Sequence, residues 1–130
     1  MSEFREERPT LADGVTYDPT PAFHKPAYRY IRAADRLPST DAAYEAVDPL
    51  IRSKVFDPVG NWTWYVAGYD PDRRLAYGAV DGFAFEVGDF SMLELTALRG
   101  RRRLGLPIER DLWFEPRPLS LLRRQPRDAR

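Results

Sequence analysis

Glu109, Arg110 and Asp111 stand in a row, and two carboxylates flanking a guanidinium form the most chemically suggestive grouping in the chain. In extended backbone, side chains alternate, so Glu109 and Asp111 share one face and Arg110 takes the other. Paired carboxylates can bind a divalent cation or divide acid and base roles between them. A metal-dependent hydrolase built on Glu109 and Asp111 is one reading. An ion-pair network that orients a loop accounts for the same residues, because no second cluster with ligand spacing accompanies them. Glu86, Asp89 and Glu94 make another acidic group, but their spacing matches no calcium loop. A solvated turn and a helix cap explain those three. His24, the only histidine, lies among prolines with no nucleophile motif nearby. One imidazole builds neither a metal site nor a triad. No catalytic residue, metal-ligand set or cofactor is assigned.

The second grouping is basic. Arg99, Arg101, Arg102 and Arg103 surround Gly100, and five of the eighteen arginines fall between Arg99 and Phe114. The glycines here form neither a phosphate-binding loop nor a dinucleotide fingerprint. They follow an expected helix, so no helix N-terminus is offered to a phosphate. The arginines could still contact a nucleic-acid backbone. Trp62, Trp64, Trp113 and Phe114 could supply stacking surfaces, although aromatics alternating along a strand also suit a core. The candidate binding residues are Arg99, Arg101, Arg102, Arg103, Arg110 and Trp113.

Composition narrows the classes. The chain has 130 residues, one domain's worth, and can bury roughly two-thirds of its unfolded surface. It contains no cysteine, which excludes disulfides, thiol nucleophiles and thiolate metal sites. No apolar run approaches the ~20 residues of a membrane span. The N-terminus has no apolar signal region, so a cytoplasmic protein without membrane contact is expected. Net charge is zero, yet its distribution is uneven. From Thr96 to Arg130, ten arginines face four acids, a net +6, and the preceding 95 residues carry −6. Such asymmetry suits a basic face that meets an acidic partner, or a solvated, salt-bridged surface.

The elements that must position these groups are short, since twelve prolines punctuate the chain. Residues 1–27 are polar and aperiodic, and read as an arm that is disordered or draped over the domain. Residues 28–124 form a single α+β domain, and 125–130 fray. Residues 41–47 suit a helix capped by Thr40 or Ser39 and ended by Asp48-Pro49. Residues 50–56 are β-like. Residues 61–69 give the clearest strand, with Trp62, Trp64 and Val66 on one face and Thr63, Tyr65 and Ala67 on the other. Large apolar groups on both faces mean that both are covered. Residues 75–80 and 82–87 read as two more strands, with Gly78 and Gly82 marking a bulge or tight connection. Ser91 and Glu94 make a capping box for a helix over 92–98 that stops at Gly100. Residues 112–114 suit another strand, and 118–124 one or two helical turns. The sum is an antiparallel β-meander of about four to five strands, with two or three short helices and an irregular N-terminal arm.

The blocks 61–65 (NWTWY), 89–94 (DFSMLE), 98–100 (LRG) and 104–114 (LGLPIERDLWF) resemble an uncharacterised family of small bacterial proteins, catalogued as a domain of unknown function. Its members are carried by plasmids, integrative elements and phages. The likeness runs from about Asp48 to Leu122, and Arg101, Arg102 and Arg103 replace a shorter, proline-containing link. The resemblance implies a mobile-element context and transfers no catalytic residue. The expected function is therefore a non-enzymatic binding protein that contacts a host or element-encoded protein, such as a DNA-processing or defence factor. Direct nucleic-acid binding through the arginine loop is the alternative.

Overall fold

The computed structural model describes residues 30–58, 60–97 and 108–123. The expected arm over 1–27 and tail over 125–130, His24, and Arg99 to Arg103 lie outside the described residues. What is described is an α+β domain. Helix α1 (Thr40–Glu45) precedes two short strands, β1 (Leu50–Ile51) and β2 (Ser53–Phe56). Strands β3 (Thr63–Asp70), β4 (Leu75–Asp81) and β5 (Phe85–Ser91) follow, then helix α2 (Met92–Ala97). Strands β6 (Glu109–Arg110) and β7 (Arg117–Pro118) lead into helix α3 (Leu119–Arg123). The main sheet has the order β5-β4-β3-β2-β6, antiparallel throughout, and β1 pairs separately with β7.

Consecutive strands from β2 to β5 are neighbours, so the core of the sheet is the expected meander. Its two faces carry separate apolar clusters. Trp64, Val66, Tyr69, Met92 and Ile108 belong to one; Tyr65, Ala67, Tyr77, Leu119 and Leu122 belong to the other. Alternation along β3 demands this division, and helices complete it. α2 contributes Met92 and Leu95 to the first cluster, whereas α1 and α3 contribute Ala43, Leu119 and Leu122 to the second.

Simple alternation fails at one point. Val66 pairs with Gly78 and Gly68 with Tyr77, so Ala67 is an extra residue. This bulge shifts the phase by one. Tyr69, which strict alternation would set beside Tyr65 and Ala67, instead joins Trp64 and Val66. The bulge requires Gly78, because a Cβ there would lie 1.8 Å from the Tyr65 carbonyl oxygen. Gly68 permits the close seating of α1, since a Cβ there would meet Ala43 Cβ at 2.7 Å.

Local chemistry sets the helix starts. The Ser39 hydroxyl accepts the Ala42 N–H at 3.1 Å, which selects Ser39 over Thr40 as the cap of α1. Ser91 Oγ accepts the Glu94 N–H at 3.0 Å at the start of α2. α3 is capped from far along the chain. Asp48 Oδ1 accepts the Ser120 N–H at 3.0 Å, and Ser120 Oγ donates to Asp48 Oδ2 at 2.7 Å. An Asp48→Ala variant is expected to lose about 1 kcal/mol, or roughly 4–8 °C of melting temperature. An unchanged thermal transition by circular dichroism would show that α3 stands without this carboxylate.

Three expectations need correction. The strand expected over 82–87 runs over Phe85–Ser91, so Glu86 and Asp89 lie on a strand and not in a turn. The β-like run over 50–56 is two strands in different sheets. The Arg52 N–H bonds to the Val66 carbonyl at 2.8 Å, and the faces exchange there. Ile51 consequently packs with Leu119 and Leu122, whereas Val55 packs with Trp64. The strand expected over 112–114 is instead a turn after β6. Asp111 Oδ1 accepts the Trp113 N–H at 2.9 Å, and an aspartate bonded two residues ahead bends the chain.

Candidate binding surface

Strand β6 lies at one edge of the main sheet, with Val55 opposite Arg110 and Phe56 opposite Glu109. Arg110 is only 8% exposed. Its Nη1 and Nη2 donate to the two carboxylate oxygens of Asp35 at 2.8 and 2.7 Å, a two-pronged ion pair. Nη1 also donates to the Tyr30 carbonyl at 2.8 Å, and Ser53 Oγ donates to the same oxygen at 3.0 Å. The Tyr30 hydroxyl donates in turn to the Ile108 carbonyl. Arg110, expected among the binding residues, is thus buried in an internal clamp that ties residues 30–35 to β6. A guanidinium already bound to a carboxylate and a carbonyl has no surface to offer.

The Asp111 carboxylate beside it has partners on both oxygens. Asp111 lies 3.4 Å from Lys54 Nζ through Oδ2, and its Oδ1 is taken by the Trp113 N–H. Glu86 and Asp89 pair with Val80 and Tyr77 on β4, which sets them on opposite faces of the sheet. Among the described residues, no three His, Cys, Asp or Glu side chains are grouped to hold a metal ion.

The turn that follows Arg110 presents the other described candidate, Trp113, which is 90% exposed beside a half-exposed Leu112. Its backbone is pinned at several points. The Asp111 N–H bonds to the Lys54 carbonyl at 2.9 Å, and the Phe114 N–H reaches the Asp111 carbonyl at 3.4 Å. Phe114 turns inward against Tyr65, with ring centres 6.3 Å apart. The Arg117 guanidinium covers Phe114 at 5.3 Å, and the Lys54 ammonium sits 5.9 Å from the Tyr65 ring. A bare indole on a fixed turn has the make-up of a contact anchor. The remaining tryptophans differ. Trp64 is core, and Trp62 packs against it at 6.0 Å, so neither forms an open stacking platform.

Sequence reasoning missed Phe83, which is 95% exposed at the β4–β5 connection and edge-on to Trp62 at 5.4 Å. Its place after Gly82, at the tip of a hairpin, was the available signal. It also passed over Arg32 and Arg36, which line a cavity together with Tyr69.

Fold and surface define a small α+β domain with a five-stranded antiparallel sheet, both faces covered, and an aromatic turn at one edge. The family model for a protein of unknown function (DUF2958) matches residues 28–129, and the chain belongs to that family. Comparison with curated proteins and with solved structures finds no match. No helix among the described residues is long and apolar enough to cross a membrane.

Proposed function

We propose that this protein works by binding another protein, without catalysis, and that Trp113 anchors the contact. The exposed indole on a hydrogen-bonded turn carries this reading. A large apolar side chain left in water gains free energy only when a partner covers it, and rigid tryptophans dominate interface energetics. Leu112 extends the apolar area. The sequence blocks that resemble proteins of plasmids, integrative elements and phages favour a partner from the host or from such an element, within the cytoplasm. A DNA-processing or defence factor is the partner class that this context favours.

A photo-crosslinking residue at position 113, compared with one at Glu45, tests the reading in producing cells. Adducts to one defined protein at position 113 and none at position 45 are expected. Trp113→Ala should then weaken binding of that protein by about 2 kcal/mol, roughly thirtyfold. Its unfolding free energy should change by less than about 0.5 kcal/mol. Adducts to nucleic acid instead, or affinity indifferent to Trp113, would overturn the proposal.

A further inference from the structure

The turn between Tyr30 and Ser39 forms one wall of a cavity of about 320 Å³. Ile31, Leu37, Tyr69 and Pro71 supply its apolar lining, and Arg32 and Arg36 supply two guanidinium groups. We propose that this cavity binds a small organic anion with a ring-sized apolar body, its anionic head held between Arg32 and Arg36. Its volume falls at the small end of the range for ligand sites, and both arginines are exposed residues at its lining.

Three observations support the assignment. First, the two arginines have no carboxylate partner among the described residues, although acids lie close by. Asp35, between them in sequence, is consumed by Arg110 through both oxygens. Asp70, beside Pro71, accepts from Arg73 Nε at 2.7 Å and from the Asp72 N–H at 3.0 Å. The Arg73 side-chain hydrogen bond holds the Asp70 carboxyl below the ordinary aspartate range. Asp35 and Asp70 are thus engaged elsewhere. Second, Arg36 adopts φ 53° and ψ 47°, a left-handed conformation in which glycine or asparagine is the usual occupant. A strained non-glycine residue persists where its surroundings over-determine it, and such positions cluster at ligand sites. Third, the turn is preorganised. The Arg36 N–H bonds to the Ala33 carbonyl at 3.1 Å, the Arg32 N–H bonds to Asp35 Oδ2 at 2.8 Å, and Arg110 secures Asp35. A site fixed before binding loses little entropy on capture of its ligand.

Phenyl phosphate, phenol and inorganic phosphate separate the two halves of the recognition. Titrations of the full chain are followed by amide and methyl NMR. Phenyl phosphate is expected to shift Ile31, Ala33, Leu37 and Tyr69. Phenol and inorganic phosphate should each bind at least about tenfold more weakly, since each satisfies one half of the site. Arg36→Asn keeps the left-handed backbone and removes the guanidinium, and Arg32→Gln removes the other. Each should weaken phenyl phosphate about tenfold while the spectrum elsewhere stays folded. Absence of binding at millimolar phenyl phosphate, equal binding of phenol, or affinity unchanged in both variants would overturn the proposal. Because the cavity and the Trp113 turn share no residue, failure here leaves the protein-contact reading standing, and the converse also holds.

Discussion

An Arg110→Ala variant is expected to lose about 3–5 kcal/mol of stability, a large part of what a domain of this size possesses. The two partners are 7% and 8% exposed as side chains, so both have left water. Desolvating two ions is offset only while their geometry is met in full. Deleting the guanidinium leaves the Asp35 carboxylate without its two charge-assisted bonds and the Tyr30 carbonyl without one of its donors. Arg110→Lys should recover little, because one ammonium cannot engage both oxygens in a flat fork. The double variant Asp35→Leu/Arg110→Met should be far more stable than either single change, since it leaves no orphaned charge. Urea unfolding of the four proteins gives the coupling through a double-mutant cycle. A single-variant loss below about 1 kcal/mol would mean that the pair behaves like a surface bridge and that the clamp does not hold residues 30–35 to the sheet.

Gly78→Ala is expected to cost about 3 kcal/mol or more. The added methyl would stand 1.8 Å from the Tyr65 carbonyl oxygen and 2.9 Å from its carbon. These are backbone atoms in the middle of the sheet, so no side-chain rotation relieves the clash. Strand β3 must separate from β4, or the bulge at Ala67 must be lost. Loss of the bulge would reverse the facing of Tyr69 and strip it from the cluster that holds Trp64 and Val66. Gly88→Ala is the internal control, because nothing lies within 4 Å of the added carbon. It should be neutral or stabilising by up to about 1 kcal/mol, as a strand glycine loses more entropy on folding than alanine does. Chemical denaturation separates the two cases. Equal behaviour of the two variants would show that β3 and β4 do not approach in this register.

Sequence and structure are most instructively compared at residues 108–114. There the sequence identifies an unusual segment but misassigns its parts. Arg110 reads as surface charge because arginine is rarely buried unless paired, and its partner Asp35 lies 75 residues away. Trp113 was expected to be a candidate contact residue within a strand. It is exposed on a turn because Asp111 folds its side chain back onto the Trp113 N–H. Arg101, Arg102 and Arg103 are legible as a basic run, and they lie outside the described residues.

Features that depend on neighbours a few residues apart were determined by the sequence alone. They include a strand within 61–69 with apolar residues on both faces, a helix cap at Thr40 or Ser39 and another at Ser91, the break at Asp48-Pro49, and the α+β class that these elements impose. Alternation, capping and proline sterics act within one or two turns of chain, so their outcome is written in adjacent letters. Only the tertiary structure decided which carboxylate receives Arg110, which face Tyr69 occupies, which sheet takes Ile51, and that Arg32 and Arg36 line one cavity with Tyr69. Each of these depends on the register of strands brought together from distant parts of the chain. A single extra residue at Ala67 exchanges the two faces of everything after it in β3, and no local pattern records where the partner strand will accept that residue.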